Sequence, residues 1–158
     1  MDANQIIETL GLTPLEQEGG VFCRTYASGV LTTDGKQACA AIYYLICGDE
    51  FSHLHKLSVD ELYHFYLGDA VELVELLPGG TGRKTILGHD IDCGHQVQKL
   101  VRAGTWQGAS LVDGGSWALL GTTTCPAYSD ECYEHGDGSN LAALYPKWTE
   151  VITRLTRE

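Results

Sequence analysis

The chain of 158 residues has an ordinary globular composition, with 44% hydrophobic and 20% charged residues. This length fits a single domain, residues 1–158, whose hydrophobic core needs no disulfide bonds. The formal net charge of -11 argues against nucleic acid as a partner, because binding a phosphate backbone requires clustered lysine and arginine side chains.

The N-terminal segment lacks both a basic start and an uninterrupted apolar run, so it does not have the pattern of a secretory signal. No segment has the apolar length that a membrane-spanning helix needs. We therefore expect a cytoplasmic protein with no membrane partner. Its six cysteines include no C-x-x-C pair and are expected to be mostly reduced.

Helical patterns stand at the two ends of the chain. Residues 4–10 have helical spacing of apolar side chains before Gly11 and Pro14. Residues 140–155 predict an amphipathic helix that is broken near Pro146.

Strand-like segments fill the region between these ends. Turn residues recur about every eight to twelve positions, which is typical of a sandwich or barrel. The predicted strands are residues 21–26, 38–47, two within 48–68, then 70–77, 83–87, 96–101, 105–112 and 117–124. The sequence therefore predicts an all-β fold, a jelly roll or a related closed β structure, between a short N-terminal helix and a C-terminal helical segment.

The segment from Gly48 to Gly68 carries the clearest chemical pattern. His53 and His55 are one residue apart, so in a strand they would project to the same side. If the chain turns back through residues 57–60, Glu61 returns to the same space. Two imidazoles and a carboxylate suit a divalent metal ion or a polar ligand. The alternative is a hairpin whose histidines face solvent, and the local pattern leaves both interpretations open.

This spacing resembles the first motif of the cupin superfamily, in which a glycine precedes His-x-His and a glutamate and second glycine follow. The corresponding residues are Gly48, His53, His55, Glu61 and Gly68, although five residues separate the second histidine from the glutamate where three or four are usual. The second cupin motif ends in a metal-binding histidine. Here the matching segment RAGTWQ has Gln107 at that position.

These departures are similar to one branch, the cupin-5 family, a domain of unknown function. Its features occur in order along nearly the whole chain. They are Leu10-Gly11-Leu12, Glu18-Gly19-Gly20, Ala41 to Leu45, Phe51-Ser52, His55-Lys56, Asp60-Glu61, His64-Phe65-Tyr66, Gly68, Gly104-Thr105-Trp106-Gln107, Glu134 and Tyr145-Pro146. The resemblance implies a cupin double-stranded β-helix with a small-molecule pocket at its open end.

The resemblance also implies the residues of the site. Strand alternation places Glu61, Tyr63 and Phe65 on one face, and the motif makes that face the interior. The expected catalytic residues are His55, Glu61 and Tyr63. The expected ligand-binding residues are Tyr43, Phe65, Trp106 and Gln107. A divalent transition metal, Zn, Fe, Mn or Ni, would take His53, His55, Glu61 and Gln107, and the neutral amide of Gln107 would weaken its binding.

Two functions from different classes follow. The first is an isomerase or epimerase on a carbohydrate-like or other small polar substrate, by analogy with metal-free cupin epimerases that use a histidine base and a tyrosine acid. The second is a binding module for a small polar ligand or a divalent metal, without turnover. The resemblance also implies a homodimer.

Overall fold

Two antiparallel sheets face each other in the computed structural model, which describes residues 1–157. Most of the chain between residues 13 and 135 is strand. The strands are β1 Thr13–Pro14, β2 Val21–Ala27, β3 Ala40–Cys47, β4 Phe51–Leu57, β5 Asp60–Gly68, β6 Val71–Leu77, β7 Thr81–Leu87, β8 Gln98–Val101, β9 Trp106–Leu111, β10 Trp117–Cys125 and β11 Tyr133–His135. The helices are α1 Ala3–Leu10, α2 Gly138–Leu144 and α3 Thr149–Arg154, with short 3-10 turns at Ile91–Cys93, Asp130–Cys132 and Pro146–Trp148.

The strand order is that of a jelly roll. The first sheet has the order β1-β2-β3-β10-β5-β8, and the second has the order β11-β4-β9-β6-β7. Consecutive strands β4 and β5 lie in opposite sheets, so the link from Leu57 to Asp60 crosses between the sheets and does not close a hairpin. The predicted all-β fold class is confirmed, and so is the strand at residues 70–77.

The space between the sheets holds the main hydrophobic core. Strand β5 contributes Tyr63 and Phe65 from alternate positions, while β6 contributes Val71 and Leu73. The predicted alternation on β5 is confirmed, because His64 between them lies on the other face, where it contacts Thr123.

Both outer faces are partly covered by the helical ends of the chain. Helix α1 begins with a capping box between Asp2 and Gln5, and its Ile6 packs on Leu45 and Leu119 of the first sheet. Helices α2 and α3 pack Leu141 and Ile152 on the second sheet. The predicted break near Pro146 is present as the 3-10 turn at Pro146–Trp148. In residues 1–157, no helix combines the length and the apolar character that spanning a bilayer requires.

Strand β6 is buried on both faces, by the other sheet on one side and by the C-terminal helices on the other. Packing of these helices on β6 should therefore contribute strongly to stability. Leu76 is fully buried between this strand and the C-terminal helices. We expect Leu76→Ala to lower the free energy of unfolding by about 2–5 kcal/mol, since it removes buried methyl groups and leaves a cavity. Leu144→Ala on the exposed side of α2, where Leu144 is 64% exposed, should change it by less than about 0.5 kcal/mol. Equal effects in denaturant titrations of the two variants would contradict a buried second face.

Candidate functional site

A cavity of about 430 Å³ opens at one end of the space between the sheets. Its apolar lining comes from Leu15, Phe22, Ala40, Ile42 and Leu57. Its polar lining is strongly acidic, with carboxyl groups from Glu16, Glu18, Glu61 and Asp130, hydroxyl groups from Thr122, Thr124, Tyr128 and Tyr133, and one guanidinium from Arg24. The volume lies in the range of small-molecule sites, and the mixture of apolar surface with convergent polar groups is typical of them.

Glu61 is the most deeply placed of these carboxyl groups. It stands near the start of β5, is only 7% exposed, and accepts a hydrogen bond of 2.7 Å from Nε2 of Gln107 on the opposite sheet. Burial and then the neighbouring charge of Glu18 raise the pKa of Glu61 to about 7, against the opposing effects of His55, Thr122 and Gln107. The Glu61 carboxyl can therefore both hold and release a proton near neutral pH.

Glu18 reaches the cavity from the turn between β1 and β2. Its Oε1 accepts a hydrogen bond of 2.7 Å from Ser52 Oγ, and its backbone oxygen accepts one of 2.7 Å from the amide of His53. Gly20, with a φ of 68°, follows against β3, where a Cβ would lie 2.8 Å from the carbonyl oxygen of Leu45. Glycine is needed there for both conformation and space, which is why the Glu-Gly-Gly sequence can bring this carboxylate to the cavity.

His55 lies behind Glu18. Its Nδ1 is 2.7 Å from the backbone oxygen of His53, and a carbonyl oxygen can only accept, so Nδ1 carries the hydrogen. In the neutral imidazole, Nε2 is then the basic atom. It stands 3.9 Å from Oε2 of Glu18, too far for a hydrogen bond but close enough for an ion pair when the imidazole is protonated.

Two tyrosines complete the polar side of the cavity. The ring of Tyr133 stacks on His55 with centroids 5.2 Å apart, and its hydroxyl donates to the backbone oxygen of Gln17 at 3.0 Å. Burial and then the charge of Glu18 raise the pKa of Tyr133. Burial and then the charge of Asp130 raise the pKa of Tyr128 to about 12. Both phenols are therefore protonated at neutral pH.

The structure separates the two histidines that strand alternation predicted on one side. The pairing of β4 with β9 shifts register between Ser52 and His55, so the simple alternation fails there. The ring of His53 stacks on the ring of His135 with centroids 3.9 Å apart. It lines a surface groove together with Ala142 and Thr153 of the C-terminal helices and with Arg157 beyond them. His53 does not belong to the cavity.

Of the expected ligand-binding residues, two lie on the outer faces of the sheets and two lie inside. Tyr43 lies on the outer face of the first sheet, where its ring meets Tyr66 edge to face. Trp106 lies on the outer face of the second sheet under α2, with the ammonium group of Lys56 over its ring. Neither ring lines the cavity, because alternate side chains of a strand face opposite sides. Phe65 faces inward but packs in the apolar core.

Gln107 and Tyr63 lie inside, deeper than the residues that line the cavity. Gln107 is 1% exposed, and its Oε1 has no hydrogen-bond partner among residues 1–157. The hydroxyl of Tyr63 is likewise buried without a partner in that part of the chain. Burial and then the charge of Glu61 raise the pKa of Tyr63, so it is a neutral phenol. Neither side chain lines the cavity, and Gln107 is the one that contacts Glu61.

Sequence reasoning missed the cavity residues that come from distant segments, namely Glu18, Tyr128, Asp130 and Tyr133. Only the Glu-Gly-Gly turn pointed toward one of them, since a carboxylate before two glycines marks a sharp turn beside another chain segment. The segment with Tyr128, Asp130 and Tyr133 carried no such local signal.

The residues present do not fit the metal site that the His-x-His pattern suggested. His53 points elsewhere, and the amide nitrogen of Gln107 faces Glu61, where an amide oxygen would have to face a cation. Across residues 1–157, no group of three or more His, Cys, Asp or Glu side chains is arranged to hold a metal ion. His55 with Glu61 and Glu18 forms an acid–base cluster.

Comparisons with known proteins agree with this architecture. Residues 4–136 match the family described as Cupin_5, Cupin superfamily (DUF985). A protein from Shewanella oneidensis is 27% identical, with a TM-score of 0.93 over 99% of this chain and 98% of that chain. A hypothetical protein from Leishmania major is 25% identical, with a TM-score of 0.91 over the full length of both chains.

More distant solved structures share the fold alone. Oxalate decarboxylase from Bacillus subtilis is 12% identical, with a TM-score of 0.56 over 90% of this chain and 36% of that chain. No curated protein matches this sequence significantly.

The raised pKa of Glu61 predicts a specific pH dependence of stability. A carboxyl whose pKa rises from 4.5 to about 7 on folding opposes folding once it must ionise, so the folded protein loses stability between these two values as the pH rises. Glu61→Gln has no such charge. The variant should therefore gain up to ~3 kcal/mol relative to the wild type between pH 4.5 and pH 8.

The measurement is urea unfolding of both proteins at the two pH values. Taking the difference between them cancels the titration of all other groups. A difference that does not change with pH would show that Glu61 has an ordinary pKa.

Proposed function

Because this chain belongs to the Cupin_5 family of the cupin superfamily, we propose that its cavity is the active site of an isomerase or epimerase acting on a carbohydrate-like or other small polar substrate. The observation that carries the proposal is Glu61, a buried carboxyl that lines the cavity and has a pKa raised to about 7. General acid–base catalysis is most effective when the pKa of the catalytic group lies near the working pH.

Glu18 supplies the second proton-transfer group. It lines the same cavity, and the charges of Glu18 and Glu61 influence each other strongly enough to raise the pKa of Glu61. Two carboxyl groups in this relation favour a state in which one holds a proton and the other does not. The site therefore contains an acid and a base at the same pH.

The proposed reaction needs no oxidant, reductant or cofactor. The ionised Glu18 takes the proton from the carbon next to a substrate carbonyl, and the electron pair of that C–H bond forms the C=C bond of an enediol. Protonated Glu61 meanwhile donates its proton to the carbonyl oxygen. Return of a proton to the former carbonyl carbon, with loss of the hydroxyl proton on the first carbon to the now ionised Glu61, isomerises the substrate. Its return to the opposite face of the first carbon, with the enol proton passing back to Glu61, epimerises the substrate.

His55 acts in this proposal as a positioning residue. Its Nε2 stands 3.9 Å from Glu18, and its other ring nitrogen is fixed by the backbone of His53. The imidazole therefore stands behind the Glu18 carboxylate and can orient it within the cavity. Tyr63 keeps a supporting role, because it is fully buried and does not line the cavity.

The alternative function is a binding module without turnover. The hydrogen bond from Gln107 to Glu61 favours it, since a carboxyl group held by the protein is less free to transfer a proton to a ligand. In that case the same cavity would hold a small polar molecule unchanged. The two functions differ in whether a substrate C–H bond breaks.

Solvent exchange of substrate protons tests the proposal directly. Reducing sugars are incubated with the protein in D₂O, and loss of the proton next to the carbonyl carbon is followed by NMR. We expect exchange with at least one sugar, and Glu61→Gln should slow it by about 10²–10⁴-fold because the amide cannot act as an acid. Glu8→Gln makes the same chemical change on the exposed side of α1 and should leave the rate unchanged.

The pH profile gives a second check of the role of Glu61. An acid must be protonated, so exchange should fall as the pH rises through about 7. Equal rates for the wild type and Glu61→Gln would refute the acid role. Ligand binding without exchange in any sugar would leave the binding module as the function.

A further inference from the structure

We infer that the cavity selects a small organic cation, an amine-bearing polar molecule such as an amino sugar, over an anionic molecule of the same size. This inference rests on the proposed function for the location of the site. It concerns what the cavity binds and does not depend on whether the ligand is converted.

The lining of the cavity carries a net negative charge. Four carboxyl groups, from Glu16, Glu18, Glu61 and Asp130, face one cation, the guanidinium of Arg24. Even with Glu61 protonated, three negative charges remain against one positive charge. Like charges confined in a partly desolvated cleft repel an anion and attract a cation.

Among the described residues, the lining of this cavity does not have the features of a phosphate site. Proteins hold phosphate with backbone amides at helix N-termini, or with clustered arginine and lysine side chains. Within residues 1–157, none of the residues that line this cavity belongs to an α-helix, and Arg24 is the single arginine or lysine among them. Sugar phosphates and nucleotide sugars therefore lack the partners that their phosphate groups require.

Aromatic side chains line the cavity together with the carboxylates. Phe22, Tyr128 and Tyr133 all line the cavity. The faces of such rings attract ammonium groups as well as apolar surface. Burial and, to a smaller extent, the charge of Glu18 raise the pKa of both tyrosines, so both stay neutral beside the carboxylates. An amine on a polar ring would thus meet carboxylates and aromatic faces together.

Three sugars with the same ring provide the test: glucosamine as the cation, glucose as the neutral molecule and glucose 6-phosphate as the anion. Binding to the whole protein is measured by calorimetry or NMR titration near pH ~6.5, where the amine is protonated. We expect glucosamine to bind at least about tenfold more tightly than glucose 6-phosphate, with glucose between them. The preference should weaken when salt is added.

Matched variants locate the preference in the cavity. Asp130→Asn removes an exposed carboxylate of the lining and should reduce the preference for glucosamine over glucose by at least about threefold. Asp92→Asn makes the same change in the exposed turn at Ile91–Cys93, away from the cavity, and should leave the preference intact. An equal effect of the two variants would overturn the inference.

The result is distinguishable from that of the proposed function. Tighter binding of glucose 6-phosphate, equal binding of the three sugars or no binding of glucosamine would overturn the cation preference. Tighter binding of glucose 6-phosphate together with proton exchange in that sugar would overturn the preference while supporting catalysis. Selective binding of glucosamine without exchange in any sugar would support the preference and refute catalysis.

Discussion

The hydrogen bond from Gln107 to Glu61 is the interaction on which the site depends. It joins β9 of one sheet to β5 of the other, across the interior, at 2.7 Å. A carboxyl group without such a partner would be costly to bury, and one with a strongly basic partner would simply stay ionised. The neutral amide satisfies one oxygen of Glu61. Its hydrogen bond lowers the pKa of Glu61, but by less than burial raises it, so the pKa stays above its usual value.

The same residue belongs to a polar row that crosses the second sheet. Register pairs His55 with Gln107, and Gln107 with Glu75 on β6. Glu75 is fully buried and is neutralised by Arg83 at 2.6 Å and Lys99 at 3.2 Å. The interior is thus apolar on one side of this row and acidic on the other. Glu75 is therefore ion-paired, whereas the side-chain partner of Glu61 is the neutral amide of Gln107.

Much of the architecture was predictable from the sequence because it depends on local patterns. Alternation on β5 placed Glu61 and Tyr63 inward, and the helical ends followed from their spacing. The positions of His53 and the cavity lining were not predictable in this way. A register shift moves His53 out of the expected pattern. Glu18 is held by Ser52, 34 residues away, and Tyr133 by Gln17, 116 residues away, and such pairings depend on the completed fold.

The position of residues 14–18 has a consequence for how relatives of this protein can diverge. This segment lies between β1 and β2, contributes two of the four acidic side chains of the cavity, and is held mainly through backbone hydrogen bonds, such as that from the amide of His53 to Glu18. Backbone bonds persist when side chains change. Substitutions at Glu16 or Gln17 can therefore change the charge and shape of the cavity while the jelly roll is inherited intact.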